Sequence, residues 1–195
     1  MFETTKSADG TRIAFERSGR GDPLIVLGGA FNTRQSSAAL VPLLDHNFTV
    51  FCVDRRGRGD STAIEPYAVE REVEDLAAVI HAAGGSALVY GHSSGAVLAL
   101  EGAAAGLRIE RLAAYEPPYT AEPSQVGDGS IPVERLARIS VPTLLIAGGN
   151  SDAWARDSVA AVAAAIPGAT HHVIDGQDHG VAFEALAPVL EEFFG

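Results

Sequence analysis

Six short, mostly apolar runs recur along this chain, and helix-patterned stretches separate them. The runs are "PLIVLGG", "FTVFCVD", "SALVYG", "IERLAAYEPP", "VPTLLIAGG" and "THHVID". Between them lie "VEREVEDLAAVIHAAG", "SSGAVLALEGAAAGL", "SDAWARDSVAAVAAAIPG" and "VAFEALAPVLEEFF". In the first of these, Val69, Val73, Leu76 and Ile80 recur at the spacing of one helix face. Strands that lack polar alternation must be buried on both sides, and strands joined through helices run parallel. The pattern therefore predicts an α/β chain with a mostly parallel central sheet and helices on both faces. Ahead of it, "FETTK", a turn at Asp9-Gly10 and "TRIAFERSG" read as an antiparallel hairpin. With 195 residues and neither repeat nor low-complexity linker, residues 1–195 are expected to form a single domain.

In parallel sheets of this kind, functional groups collect beyond the carboxyl ends of the strands. After "SALVYG" stands Gly91-His92-Ser93-Ser94-Gly95, a G-x-S-x-G stretch placed between a strand and a helix. A turn that tight strains the serine backbone and holds the Ser93 hydroxyl out as a nucleophile, while the flanking glycines avoid a clash. The backbone N–H of Ser94 would then face developing negative charge.

A serine nucleophile needs a base, and the base needs a group that fixes its tautomer. Of six histidines, His179 is the best placed, in the glycine-flanked loop "GQDHG" after the last strand. His171 and His172 fall within that strand, and His46 and His81 read as surface or helix-end residues. His92 is expected to line the site or pack beneath it. Two acids follow strands: Asp152 in "GGNSDAW" and Glu116 after "RLAAYE". Asp152 is the first candidate for the orienting acid and Glu116 the alternative, although an aspartate there also suits a helix N-cap. The paired glycines of "LIVLGGAFNT" let backbone approach a substrate, so the N–H of Ala30 would join that of Ser94 as an oxyanion hole. Phe31 follows it, and with His92 and Trp154 makes up the expected substrate pocket.

Composition narrows the classes of partner. Fourteen basic against 25 acidic residues give a net charge of −11, which disfavours nucleic acid and anionic membranes. No segment has the apolar length of a membrane span, and the charged N-terminus lacks the apolar stretch of a signal peptide. The one cysteine, Cys52, lies in an apolar run, reads as a buried thiol and fits a reducing, cytoplasmic compartment.

Taken along its whole length, the chain resembles an α/β-hydrolase. The residues that carry the resemblance are the "GGAF" loop, "DRRGRGDS" from Asp54 to Ser61, the "GHSSG" elbow, "AGGNSD" and "GQDHG", in the order serine, acid, histidine. The resemblance implies a serine hydrolase of the carboxylesterase type acting on a small-molecule ester, with no metal and no organic cofactor. Ser93 would be the nucleophile, His179 the general base and acid, and Asp152 or Glu116 the orienting acid. The arginines and aspartates of "DRRGRGDS" are expected to brace loops through salt bridges. Two features depart from the family pattern: Gly28 stands where a histidine is common, and the acid loop reads "GGNSDAW". A third is the short stretch 119–140, where the family inserts a helical cap; "TAEPSQVGDGS" is loop-like and "IPVERLARI" at most a short helix. A capless or cap-trimmed site is thus expected, with apolar surface that a homodimer would cover. Lactonase and cofactor-free perhydrolase chemistry share the serine triad. A weakly active or non-catalytic ligand-binding protein on the same fold is the reading from another class.

Overall fold

A computed structural model of the chain describes residues 1–119 and 131–195. One eight-stranded sheet organises them, in the order β1-β2-β4-β3-β5-β6-β7-β8. The strands are β1 (Glu3–Lys6), β2 (Arg12–Gly19), β3 (Asp22–Leu27), β4 (Phe48–Val53), β5 (Ala87–His92), β6 (Ile109–Tyr115), β7 (Thr143–Gly148) and β8 (Thr170–Ile174). The hairpin β1–β2 is antiparallel, and β2 joins β4 antiparallel; every pairing from β4 through β8 is parallel. At the hairpin turn Gly10 has φ +89°, which suits a residue without Cβ, and Asp9 accepts the Thr11 N–H at 2.9 Å.

The parallel strands are buried on both faces, as their unbroken apolar runs require. Along β3, Ile25 and Leu27 join one core with Leu76 and Val79 of α2 (Val69–Ala82), Leu98 of α3 (Ser94–Ala104) and Val159 of α5 (Ala153–Ala165). Leu24 and Val26 point the other way, into a core with Leu44 of α1 (Val41–Leu44) and Leu186 and Leu190 of α6 (Phe183–Phe194). The period-2 alternation of the strand thus feeds two cores, one under each helical layer. Strand β8 lies at the sheet edge, and His171 and His172 are exposed there.

Helix α2 packs Val73, Leu76 and Ile80 against the core as their spacing predicts, but buries two carboxylates as well. Val69 is exposed, whereas Glu72 and Asp75 are buried beside Leu76 and Val79. Arginines from the loop after β4 cause this: Arg55 pairs with Glu72 at 2.6 Å and Arg56 with Asp75 at 2.7 Å. Hydropathy alone places those carboxylates in solvent; a buried partner overrides it. Cys52 is buried in β4, and burial pushes its thiol pKa up to about 12. Between β6 and β7 the one described helix is α4 (Val133–Leu136), a single turn. The expected loop "TAEPSQVGDGS" lies outside the described residues. No helix of the described residues is long and apolar enough to cross a membrane.

Candidate active site

The junction of β5 and α3 is built for close approach. Ser93 sits between them with φ 54° and ψ −122°, a conformation that side-chain-bearing residues rarely adopt. A Cβ on Gly91 would fall 2.6 Å from Ala96 Cα, and one on Gly95 would fall 2.6 Å from the Gly28 carbonyl oxygen. Both glycines are therefore required by packing of the turn against α3 and the end of β3. The Ser93 N–H donates to the Tyr115 carbonyl at 2.8 Å, which ties the elbow to β6.

The last residue before the elbow's serine braces the histidine loop. His92 Nε2 lies 2.8 Å from the His179 carbonyl oxygen, so this nitrogen carries the proton and donates it. Burial lowers the His92 pKa and favours the neutral ring. The ring stacks on Tyr115 at 5.4 Å, and the Tyr115 hydroxyl donates to the Asp178 carbonyl at 2.5 Å. Two side chains thus hold the backbone of residues 178–179 over the end of the sheet.

Directly after β6, Glu116 also has positive φ, at 44°, and is 2% exposed. Its Oε1 accepts the Gly148 N–H at 2.8 Å and the Ser151 hydroxyl at 2.5 Å. Its Oε2 lies 2.6 Å from His179 Nδ1, and since a carboxylate only accepts, Nδ1–H is the donor. The other ring nitrogen, Nε2, is left with its lone pair. Glycine at 148 makes this approach feasible: a Cβ there would meet Asp178 Cα at 2.8 Å.

Asp152, the first candidate for the orienting acid, is placed differently. It is the N-cap residue of α5, is exposed, and its carboxylate interacts with the Trp154 indole N–H at 3.4 Å rather than with His179. The reason lies in strand order. β6 is the immediate neighbour of β5, which leads into Ser93, β7 is one further out, and the 177–179 loop crosses Gly148 toward β5. The carboxylate in reach of the imidazole is the one directly after β6.

Ser93, Glu116, Asp152, Trp154, Asp178 and His179 all line one cavity of about 430 Å³. Of the expected pocket residues, Trp154 lines it. Phe31 is fully exposed, and His92 borders a separate cavity of about 290 Å³ with Tyr90, Asn32 and Phe183. Ser151, Tyr115 and Gly148, which hold the acid and the histidine loop, escaped the sequence reading. Their signal was present only as neighbours of residues already singled out, in "AYE" and "GGNSD".

The glycine loop after β3 is tied down by arginine. Arg55 Nη1 donates to the Ser94 hydroxyl at 2.7 Å and to the Gly28 carbonyl at 3.3 Å, while its Nε and Nη2 grip Glu72. Arg58 donates to the Ala30 carbonyl at 2.7 Å. Gly29 comes so close to the elbow that a Cβ would sit 3.4 Å from Ser93 Cβ. As first residue of α3, Ser94 has a backbone N–H with no intrahelical partner. Further out, Arg34 pairs with Asp54 and with Asp60, and Arg56 with Asp9. The "DRRGRGDS" stretch is a set of braces.

A mostly parallel sheet flanked by helices, with a strained serine at the end of its central strand and a histidine–carboxylate pair in the same cavity, defines the α/β-hydrolase fold. Comparison with known proteins agrees. The model of the Alpha/beta hydrolase family matches residues 19–131. An alpha/beta hydrolase from Sphaerobacter thermophilus is 41% identical, with a TM-score of 0.94 over 99% of this chain and 100% of that one. The chain belongs to the alpha/beta hydrolase family. More distant structures share the fold: a thermophilic esterase from Thermogutta terrifontis (19% identical, TM-score 0.85, 100% and 98% covered) and a meta-cleavage product hydrolase from Pseudomonas fluorescens (16%, 0.85, 98% and 97%).

Proposed function

We propose that this protein is a serine hydrolase that cleaves carboxylic esters through an acyl-enzyme, with Ser93, His179 and Glu116 as its triad. The observation that carries the reading is the 2.6 Å bond from His179 Nδ1–H to a buried Glu116, in a cavity shared with Ser93 at positive φ. That bond leaves Nε2 as the basic nitrogen, the tautomer that general-base catalysis by serine needs.

In the proposed cycle His179 Nε2 takes the Ser93 proton as the oxygen attacks the ester carbonyl. Glu116 stabilises the imidazolium without itself taking the proton. The Ala30 and Ser94 N–H groups receive the oxyanion; losing one such donor typically costs about 10²–10³ in rate. His179 then protonates the departing alcohol, and a water activated in the same way releases the acid. The constellation suits acyl transfer, and a structural neighbour from Thermogutta is an esterase, which supports an ester as the substrate.

We infer an open site on the side where the family inserts a cap. Supporting it, the described residues between β6 and β7 include only one helical turn, Val133–Leu136, and the His179 side chain is 53% exposed. Water competes freely at such a site, so KM for small esters is expected to be high and acyl selectivity broad. Ser93→Ala should remove nearly all p-nitrophenyl acetate turnover with the thermal transition unchanged. Turnover that survives the substitution contradicts the reading.

A further inference from the structure

Pairing of Glu116 with His179 leaves Asp152 without a catalytic task, yet Asp152 stays in the cavity. The carboxylate is exposed and accepts from the indole N–H of Trp154, which is itself 55% exposed. Asp178 lines the same cavity and uses Oδ1 for the Gly180 N–H at 2.8 Å. Glu116, by contrast, has both oxygens engaged. No lysine or arginine is among the described residues lining the cavity. Arg156 of α5 is turned to backbone, donating to the Gly149 carbonyl at 2.6 Å. Residues 120–130, which continue from Tyr119, contain Glu122 and Asp128 and no basic residue, so that segment brings no cation wherever it lies.

A half-exposed indole beside two aspartates, with no basic residue among the described lining, is the chemistry that recognises an ammonium group. We propose that this cavity selects esters bearing an ammonium or quaternary ammonium group and discriminates against carboxylate-bearing ones. The inference rests on the hydrolase reading for the reaction, but not for the binding. Hydrolysis of such an ester adds water across the C–O bond and yields a carboxylic acid and an alcohol, one of which retains the cation. The chain's net charge of −11 further draws cations toward the surface at low salt.

Trp154 is the only tryptophan of the chain, so its fluorescence reports cavity occupancy in the intact protein without turnover. Three probes of similar shape are titrated: choline, the neutral isostere 3,3-dimethylbutan-1-ol, and 3,3-dimethylbutanoate. Choline is expected to bind about fivefold or more tighter than the neutral alcohol, and the carboxylate weakest of the three. Raising ionic strength from about 20 to about 300 mM should erode the choline advantage, and Asp152→Asn should bring it within about twofold. Equal binding of choline and the neutral alcohol, a preference for the carboxylate, or no saturable response to choline overturns the inference. The two readings fail separately. Choline binding without fluorophosphonate labelling of Ser93 removes the hydrolase; labelling without choline selectivity removes the substrate class.

Discussion

Replacing Glu116 by glutamine tests the acid more sharply than any truncation. The substitution keeps size and shape, and its carbonyl oxygen still accepts from the Gly148 N–H and the Ser151 hydroxyl, now at 2.8 and 2.5 Å from Oε1. The amide NH₂ then occupies the place of Oε2, 2.6 Å from His179 Nδ1. An NH₂ group only donates, so Nδ1 must become the acceptor and the proton moves to Nε2. In that tautomer Nε2 has no lone pair for the Ser93 proton. The comparable change in other serine triads costs roughly 10⁴ in kcat, or about 5 kcal/mol of transition-state stabilisation. Alanine is the poorer probe, because it leaves the Gly148 N–H buried without an acceptor and costs about 1–3 kcal/mol of stability besides. The assay is p-nitrophenyl acetate hydrolysis at pH 8, with thermal melts to confirm that the glutamine variant folds. A loss of about 10³–10⁴ for Glu116→Gln, with Asp152→Asn staying within about tenfold on this neutral ester, is the expected outcome. Glu116→Gln activity within tenfold of the parent, or a thousandfold loss in Asp152→Asn, refutes the assignment of the acid.

Other expectations follow from the braces and the buried groups. Arg55→Met leaves Glu72 buried without its partner and should cost about 3–5 kcal/mol in denaturant unfolding; adding Glu72→Leu should restore most of that stability but not kcat, since the Ser94 and Gly28 ties stay broken. Cys52, with its thiol pKa pushed up to about 12, should resist Ellman's reagent at pH 8 in the native protein and react at once in guanidinium. His92 has a folded-state pKa below its ordinary 6.5, so the unfolded chain binds the extra proton first as pH falls. Its contribution is therefore intact above pH 6.5 and lost as pH drops through the folded pKa; unfolding curves of His92→Gln should be flatter than the parent's below pH 6.5.

Much of this architecture was legible in one dimension because each strand is buried on both sides. Apolar runs such as "TLLIAGG" leave no polar alternation to mislead, and glycine and serine mark where β5 turns into α3. The elbow residues Gly91 and Gly95 had a local reason, steric fit, that sequence shows directly. The acid had none. Asp152 and Glu116 both follow strands, and the choice turns on which strand neighbours β5 and on where the 177–179 loop crosses, which are tertiary facts. The carboxylates on the buried face of α2 were hidden for a similar reason: Glu72 and Asp75 look solvated until Arg55 and Arg56 arrive from the loop after β4. Phe31 and His92 sit one residue from catalytic candidates, but neighbours along a strand or turn face different ways, and neither lines the cavity of Ser93.

The most direct measurement is the site of covalent capture by a fluorophosphonate. Peptide mass spectrometry of the labelled protein is predicted to place a single phosphonyl group on Ser93, with none on the adjacent Ser94, and labelling should vanish in Ser93→Ala and slow by orders of magnitude in Glu116→Gln. A folded protein that takes no phosphonyl group, or takes it on Ser94 or elsewhere, contradicts the account.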